Sequence, residues 1–248
     1  MGGGRLVAPS GQEQATRQRM AEMLATTPIP ADQLPDHLEV YQRPQRISEI
    51  IALSRLYARI LDVHGVVMEF GVRWGRHLSV FLALRTLYEP TNFYRKVIGF
   101  DTFEGFLEPA PQDGASDRVF AGSMSVGSAY QEHLAEVLTL HEAEAPMSHI
   151  RRFELCAGDA PDQLAKYLDR QPETIVALAY FDMDLYGPTR DCIELLLPHM
   201  PAGAVLAFDE LMHPDFPGEA VAVKEVLNLG RHRIQRMPES PYPAFITL

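Results

Sequence analysis

The sequence has little of several features that define common protein classes. It contains two cysteines in 248 residues, Cys156 and Cys192, without C-x-x-C spacing, so neither a disulfide framework nor a zinc site is predicted. This cysteine usage fits a reducing cytoplasm. No stretch approaches the roughly 18 consecutive apolar residues of a membrane span. The glycine-rich start also lacks the charged-then-apolar pattern of a secretory signal.

The sequence also has fewer basic than acidic residues. The chain has 22 Lys and Arg against 33 Asp and Glu, for a net charge of −11. Affinity for phosphate groups comes from clustered Lys and Arg, so neither nucleic acid nor an anionic membrane is expected as a partner. A composition that is 46% hydrophobic is enough for one full core. We expect a domain over 47–248, preceded by a flexible tail and a proline-rich helical arm over 1–46.

Apolar runs and helical periodicities alternate along the chain. An α/β fold is therefore predicted, with a doubly wound, mostly parallel seven-stranded sheet and an antiparallel pair at its edge. The predicted strands are 65–72, 96–100, 152–156, 175–181, 203–208, 233–237 and 244–248, and the predicted helices are 13–25, 47–63, 76–88, 130–144, 161–169, 188–197 and 218–229. Residues 1–12 are predicted to be disordered. The long loop 106–128 is predicted to be a lid or a binding loop.

The turn between the first strand and its helix predicts a nucleotide cradle. Gly71 and Gly75 have the spacing G-x-x-x-G, and Arg73 stands where a dinucleotide-binding turn has its middle glycine. NAD or FAD is therefore disfavoured as a cofactor, and a nicotinamide oxidoreductase is the least favoured of the functions considered. Glu69, at the end of the strand, would repel phosphates but suits a cation. S-adenosylmethionine carries no phosphate and has a sulfonium and an ammonium group, so it fits this cradle better.

Each part of that cofactor has a candidate partner. We expect Glu69 to hold the ammonium end, directly or through its own hydrogen bonds to the loop, and the helix N-terminus with Arg73 or Arg76 to receive the carboxylate. Asp101, which ends the second strand, is expected to bind the ribose hydroxyls. Gly158 and Asp159, after the third strand, are expected to contact the adenine.

Two further strands end in carboxylates. Asp182 and Asp184 follow one apolar run, and Asp209 and Glu210 follow the next. If the two strands are neighbours, these oxygens crowd together and favour a hard divalent ion such as Mg²⁺. We expect Asp182, Asp209 and Glu210 to be the ligands and Asp184 to be the general base, with His213 as the alternative base. The competing interpretation is that two of the four face water or cap helices.

The motifs together resemble those of the macrocin O-methyltransferase family. The matching pieces are EFGVRWG at 69–75, GFDTFEG at 99–105, Gly158-Asp159, DMDLYGPT at 182–189 and Asp209-Glu210. The resemblance implies a class I S-adenosylmethionine fold, Mg²⁺ dependence, a homo-oligomer, and methylation of a deoxysugar hydroxyl on a glycosylated natural product. It also implies cofactor contacts from Thr102, Phe103 and Asp182, with Asp182 as metal ligand and Asp184 as base.

The sequence departs from the family pattern at two positions. Met183 replaces the usual small residue between the aspartates, and Glu210 replaces the second Asp of the expected pair. Two other functions remain open on the sequence alone. One is a catechol or other phenolic O-methyltransferase. The other is a non-catalytic regulatory protein that binds S-adenosylmethionine.

Overall fold

The computed structural model describes residues 10–127 and 129–248, and the chain divides between Ile47 and Ser48 into two compact units. In the first unit, helix α1 (Gly11–Ala25) begins at a capping box in which Ser10 and Glu13 bond each other's backbone amides. A 3₁₀ helix follows at Leu34–Tyr41. The predicted disorder over 1–12 is wrong at Gly11 and Gln12, which are helical. Residues 1–9 lie outside the described residues.

The second unit is built on a seven-stranded sheet in the order β3-β2-β1-β4-β5-β7-β6. The strands are β1 (Val66–Phe70), β2 (Val97–Asp101), β3 (Phe153–Ala157), β4 (Val176–Phe181), β5 (Val205–Phe208), β6 (Gln235–Arg236) and β7 (Ala244–Thr247). β1 to β5 run parallel to one another, whereas β7 is antiparallel to both β5 and β6. The predicted sheet, with its antiparallel edge pair, is confirmed.

The helices follow the predicted alternation. They are α2 (Pro44–Ala58), α3 (Arg76–Tyr88), α4 (Tyr130–Ala143), α5 (Ala160–Arg170), α6 (Tyr186–Leu196) and α7 (Gly218–Val226), with short 3₁₀ turns at Pro111–Asp113 and Leu197–His199. α3 has the predicted bounds. α2 ends at Ala58 and not at 63, because turns follow it up to Val63. Within the described ranges, no helix is long and apolar enough to cross a membrane.

A row of stacked phenylalanines holds the carboxyl ends of four strands together. Phe70 of β1 stacks on Phe100 of β2 at 4.9 Å between ring centroids and on Phe181 of β4 at 5.0 Å. Phe181 stacks in turn on Phe208 of β5 at 5.3 Å. All four rings are fully buried. Because packed aromatic rings resist displacement, this row fixes the strand ends from which the acidic residues project.

Candidate active site

A cavity of about 250 Å³ opens at the carboxyl edge of the sheet. Ligands bind beyond the carboxyl ends of parallel strands in open α/β sheets, so this is the expected place for a site. Most of the residues singled out from the sequence line it: Gly71, Arg73, Asp101, Thr102, Gly158, Asp159, Asp182, Asp184, Asp209 and Glu210. Glu69, Gly75 and Phe103 are not among the lining residues and lie behind them.

The glycines of the cradle are required by the backbone. Gly71 has φ +90°, and a Cβ built there would lie 2.0 Å from the carbonyl oxygen of Asp182. Gly75 has φ +77° at the start of α3, where a Cβ would meet Leu134 at 2.4 Å. Even Arg73 adopts a left-handed φ of +49°. The turn therefore brings the β1–α3 backbone close to the end of β4, which leaves the amino end of α3 beside the cavity.

Asp101 organises the second side of the cradle. Its Oδ2 accepts the Arg73 amide at 2.7 Å, and its Oδ1 accepts the Phe103 amide at 2.6 Å. Thr102 Oγ1 donates to the Gly105 carbonyl at 2.7 Å and closes the turn. Phe103 is 2% exposed, so its ring packs in the core. Each Asp101 oxygen keeps lone pairs for a further donor, as a ribose-binding carboxylate needs.

Glu69 is fully buried and does not reach the cavity. Within the described residues neither of its oxygens has a hydrogen-bond partner, although His77 Nδ1 lies 3.6 Å from Oε1. Burial raises the pKa of Glu69 to about 7 despite the opposing effect of His77. The expected role of Glu69 at the ammonium group of a ligand stays a prediction.

The four carboxylates predicted from the sequence meet at the ends of two neighbouring strands. β4 and β5 pair with Phe181 opposite Phe208, which places Asp182 and Asp184 next to Asp209 and Glu210. We call these four residues the acid cluster. Burial, followed by repulsion from Asp209, raises the pKa of Asp184 to about 7 and that of Asp182 well above its ordinary value. Burial with repulsion from Asp184 and Asp209 raises the pKa of Glu210 to about 8.

Asp184 is also strained. It has φ +63°, a left-handed conformation that is uncommon outside glycine and is found at functional sites. The Leu185 amide donates to the Met183 carbonyl at 2.6 Å and closes the tight turn around it. Asp184 is 8% exposed, and its Oδ1 has no hydrogen-bond partner in the part of the chain that the structure describes.

Two buried acids beneath the cluster were not found from the sequence. Glu219 of α7 is fully buried, and its Oε1 accepts the Glu210 amide at 3.0 Å. Burial and four neighbouring acids raise the pKa of Glu219 well above its ordinary value. Asp113 accepts the amides of Tyr186 and Ala110 at 2.6 Å and 2.7 Å. These residues follow no strand, so the rule that located the acid cluster does not apply to them.

His77 and Tyr180 were also missed, and both contact the cluster. His77 Nδ1 lies 3.4 Å from Asp182 Oδ2, and Tyr180 Oη donates to Asp209 Oδ1 at 2.6 Å. Burial alone would lower the pKa of His77, but Glu49, Glu69 and Asp182 raise it well above its ordinary value. Candidate ligand atoms of Glu49, His77 and Asp209 all lie within 4.8 Å of one another. Of the three predicted metal ligands, Asp209 belongs to that group.

The side of the cavity opposite the cradle is aromatic and carries one cation near the acids. Phe106 and Phe216 pack edge to face at 6.4 Å, and the Arg118 guanidinium lies 4.6 Å from the Phe216 ring centroid. Arg118, from the loop 106–128, also pairs with Asp215 at 3.6 Å. His213, the alternative base, is 8% exposed and is not among the cavity-lining residues. This side has room and chemistry for an acceptor with both apolar and polar faces.

The sheet order, the glycine turn after β1 and the acid that ends β2 define a class I methyltransferase fold, with a site for S-adenosylmethionine. No protein-family model matches the chain, and no curated protein sequence matches it. Several solved structures do match the chain. The calicheamicin methyltransferase CalS11 is 39% identical, with a TM-score of 0.95 over 100% of this chain and 98% of that one. The chain therefore belongs to the macrocin O-methyltransferase-like family of sugar O-methyltransferases.

Two further structures are similar. An apo structure of CalS11, described as TDP-rhamnose 3'-O-methyltransferase, is 38% identical, with a TM-score of 0.86 over 97% of this chain and 96% of that one. The O-methyltransferase NovP is 18% identical, with a TM-score of 0.61 over 81% of this chain and 79% of that one, which shows the shared fold alone. The protein is thus an S-adenosylmethionine-dependent O-methyltransferase.

Proposed function

We propose that this enzyme methylates a hydroxyl group of a deoxysugar during the assembly of a natural product, with Mg²⁺ as its metal. The observation that carries the proposal is the acid cluster, a set of buried and partly buried carboxylates beside the methyl-donor cradle that raise one another's pKa. The relative CalS11 acts, by its name, on TDP-rhamnose. That name favours a nucleotide-linked deoxysugar, whereas the sequence motifs led us to expect a sugar already attached to its scaffold.

The residues present fit a hard divalent cation. In the described ranges, Asp184 Oδ1 and Glu210 Oε2 are buried without a hydrogen-bond partner. Oxygen ligands of this kind are those that Mg²⁺ prefers. We assign the coordination to Asp182, Asp209 and Glu210. A bound Mg²⁺ supplies Lewis-acid chemistry, which lowers the pKa of an alcohol and orients its oxygen toward the methyl donor.

We assign the remaining roles to groups around the cavity. Asp101 binds the ribose hydroxyls, with its orientation fixed by the amides of Arg73 and Phe103. Gly158 and Asp159 border the adenine, and the amino end of α3 with Arg73 receives the carboxylate of the donor. Glu69 supports this end of the cradle from the core. With S-adenosylmethionine bound, these residues would hold it in the cavity that the acid cluster also lines.

Asp184 is the proposed general base. A base works best when its pKa lies near the operating pH, and burial beside Asp209 raises the pKa of Asp184 to about 7. Its side chain lines the cavity, whereas His213 does not. Asp184 would take the proton of the acceptor hydroxyl, and S-adenosylmethionine, when bound, would supply the methyl group and leave as S-adenosylhomocysteine, its sulfur keeping the electron pair of the broken S–CH3 bond. The left-handed backbone of Asp184 holds the carboxylate toward the cavity.

Two measurements test this function. Calorimetry with S-adenosylhomocysteine tests the cofactor site, and an absence of binding up to millimolar ligand would contradict it. Turnover is then compared on TDP-rhamnose, a rhamnoside and a catechol, each with and without Mg²⁺. We expect methylation of a rhamnose-type acceptor that depends on Mg²⁺. Preference for the catechol would favour the phenolic enzyme, and cofactor binding without methyl transfer to any acceptor would favour the regulatory protein.

We also propose a homo-oligomer in the cytoplasm. α2 exposes Ile50 and Ile51, each more than 40% accessible, on one stretch of helix, which supports an apolar contact between copies. The two cysteines, Cys156 and Cys192, are buried and unpaired, as is usual in a reducing compartment. Light scattering on the purified protein tests the first proposal, and a monomeric mass would contradict it.

A further inference from the structure

Two aromatic side chains stand directly behind the acid cluster. Tyr180 of β4 is fully buried, and its hydroxyl donates to Asp209 Oδ1 at 2.6 Å. His77 of α3 is 2% exposed, and its Nδ1 lies 3.4 Å from Asp182 Oδ2. Each side chain therefore contacts one of the two aspartates proposed to bind Mg²⁺.

The two rings also contact each other. The centroids of His77 and Tyr180 lie 4.8 Å apart, and the edge of Tyr180 packs on Phe81 at 5.7 Å. The other ring nitrogen of His77, Nε2, lies 3.2 Å from Glu49 Oε1 of α2 and 2.7 Å from Arg76 Nη2. Contacts from helix α2, helix α3 and strand β4 thus restrict the movement of His77 and Tyr180. A side chain whose own position is restricted can orient the carboxylate that it contacts.

His77 reaches the donor cradle as well. Its Nδ1 lies 3.6 Å from Glu69 Oε1, so the same nitrogen stands between Glu69, behind the cradle, and Asp182, in the acid cluster. Tyr180 contacts the acid cluster through Asp209. The two residues therefore differ in what their loss should affect, and this difference makes their roles separable.

We infer that His77 and Tyr180 form a positioning pair, in which Tyr180 orients Asp209 for the metal and His77 ties the orientation of Asp182 to that of the donor cradle. This inference rests on the proposed function. Side chains that hydrogen-bond metal-binding groups typically contribute ten- to a hundred-fold to metal affinity. The pair would thereby couple the affinity of the acid cluster for Mg²⁺ to the affinity of the donor cradle for its ligand.

The first test is Tyr180→Phe, which removes one oxygen and keeps the ring. Mg²⁺ is titrated by calorimetry into the complex with S-adenosylhomocysteine. We expect a Kd for Mg²⁺ raised about ten- to a hundred-fold, an unchanged Kd for S-adenosylhomocysteine, and a kcat that recovers at saturating Mg²⁺. Tyr57→Phe is the matched control, because it removes another buried tyrosine hydroxyl that donates to a carboxylate, Glu89, at 2.7 Å.

The second test is His77→Gln, which keeps a polar side chain but cannot bridge Glu69 and Asp182. We expect it to weaken binding of both Mg²⁺ and S-adenosylhomocysteine, with thermal melting as the check that it folds. Equal Mg²⁺ affinities in wild type, Tyr180→Phe and Tyr57→Phe would overturn the role of Tyr180. A His77→Gln variant with wild-type affinity for both ligands would overturn the role of His77. If wild type binds S-adenosylhomocysteine but no Mg²⁺, the metal part of the proposed function fails, and this inference with it.

Discussion

Carboxylates lie at both ends of the sheet, but the two ends differ in how many hydrogen-bond donors and cations they place next to these carboxylates. At the amino ends of the strands, Glu89 accepts hydrogen bonds from Arg95 Nε at 2.9 Å, Tyr57 Oη at 2.7 Å and Asn92 Nδ2 at 2.8 Å. Burial would raise the pKa of Glu89, but these donors lower it below its ordinary value. Its charge is fully compensated within the protein.

At the carboxyl ends the acid cluster is compensated less completely. Tyr180 donates to Asp209, as Tyr57 does to Glu89, but the pKa values of the cluster stay raised although His77, Arg73 and Arg118 act to lower them. The pKa values of Asp184 and Glu210 are raised to about 7 and about 8. Removing one partner of a compensated buried charge destabilises a protein, whereas carboxylates left to repel one another are suited to bind a ligand. The difference supports the proposal that the metal site lies at the carboxyl end of the sheet.

The largest expected effect is on turnover. Asp184→Asn removes the proposed base and keeps the shape of the side chain, so kcat should fall by about 10² to 10⁴. Binding of S-adenosylhomocysteine should be retained, since Asp184 is not assigned to the donor. Single-turnover methyl transfer measures the first quantity and calorimetry the second. A kcat within a few-fold of wild type would assign the base to another group.

The stabilities of matched variants sharpen the comparison. Glu89→Gln should destabilise the protein by about 3 kcal/mol, because it leaves the buried Arg95 without its counter-charge. Asp184→Asn should instead stabilise the metal-free protein at pH 8, because it removes one of several repelling charges. Urea unfolding of both variants at pH 8 measures the two changes in the free energy of unfolding, which should have opposite signs. Destabilisation by both changes would mean that the two ends do not differ as described.

A smaller effect is expected from pH. The folded protein raises the pKa of Asp184 and Glu69 to about 7 and of Glu210 to about 8, whereas these groups ionise near pH 4 when unfolded. The folded state therefore binds more protons between about pH 4 and pH 8, and stability falls as pH rises through this window. The melting temperature of the metal-free protein should drop from pH 5 to pH 8. Mg²⁺ should reduce that drop, and a rise instead would contradict the raised pKa values.

The sequence predicted the fold and the acid cluster for a simple physical reason. Apolar runs mark buried strands, and parallel strands bring their carboxyl ends to one edge, so Asp182 and Asp209 were predicted to lie together if their two strands are neighbours. The confirmed pairing of β4 with β5 is what joins the two.

The other residues that contact the acid cluster do not follow an apolar run, so the sequence pattern does not single them out. Tyr180 lies within an apolar run and reads as core, and only the pairing of β4 with β5 brings its hydroxyl to Asp209. Glu219 lies within a short helix, and His77 in the first turn of α3. The pattern alone also does not show which way the side chain of Glu69, at the end of β1, points. Contacts made across elements need the tertiary structure.

The most direct test of the account is a calorimetric titration of Mg²⁺ into the complex with S-adenosylhomocysteine, at pH 7.5 in two buffers of different ionisation enthalpy. Because the acid cluster has raised pKa values, a cation that binds it must displace protons. We predict saturable binding at one site per chain, with a heat that differs between the buffers. The absence of saturable binding, or binding with identical heats in the two buffers, would contradict the claim that these carboxylates form the metal site.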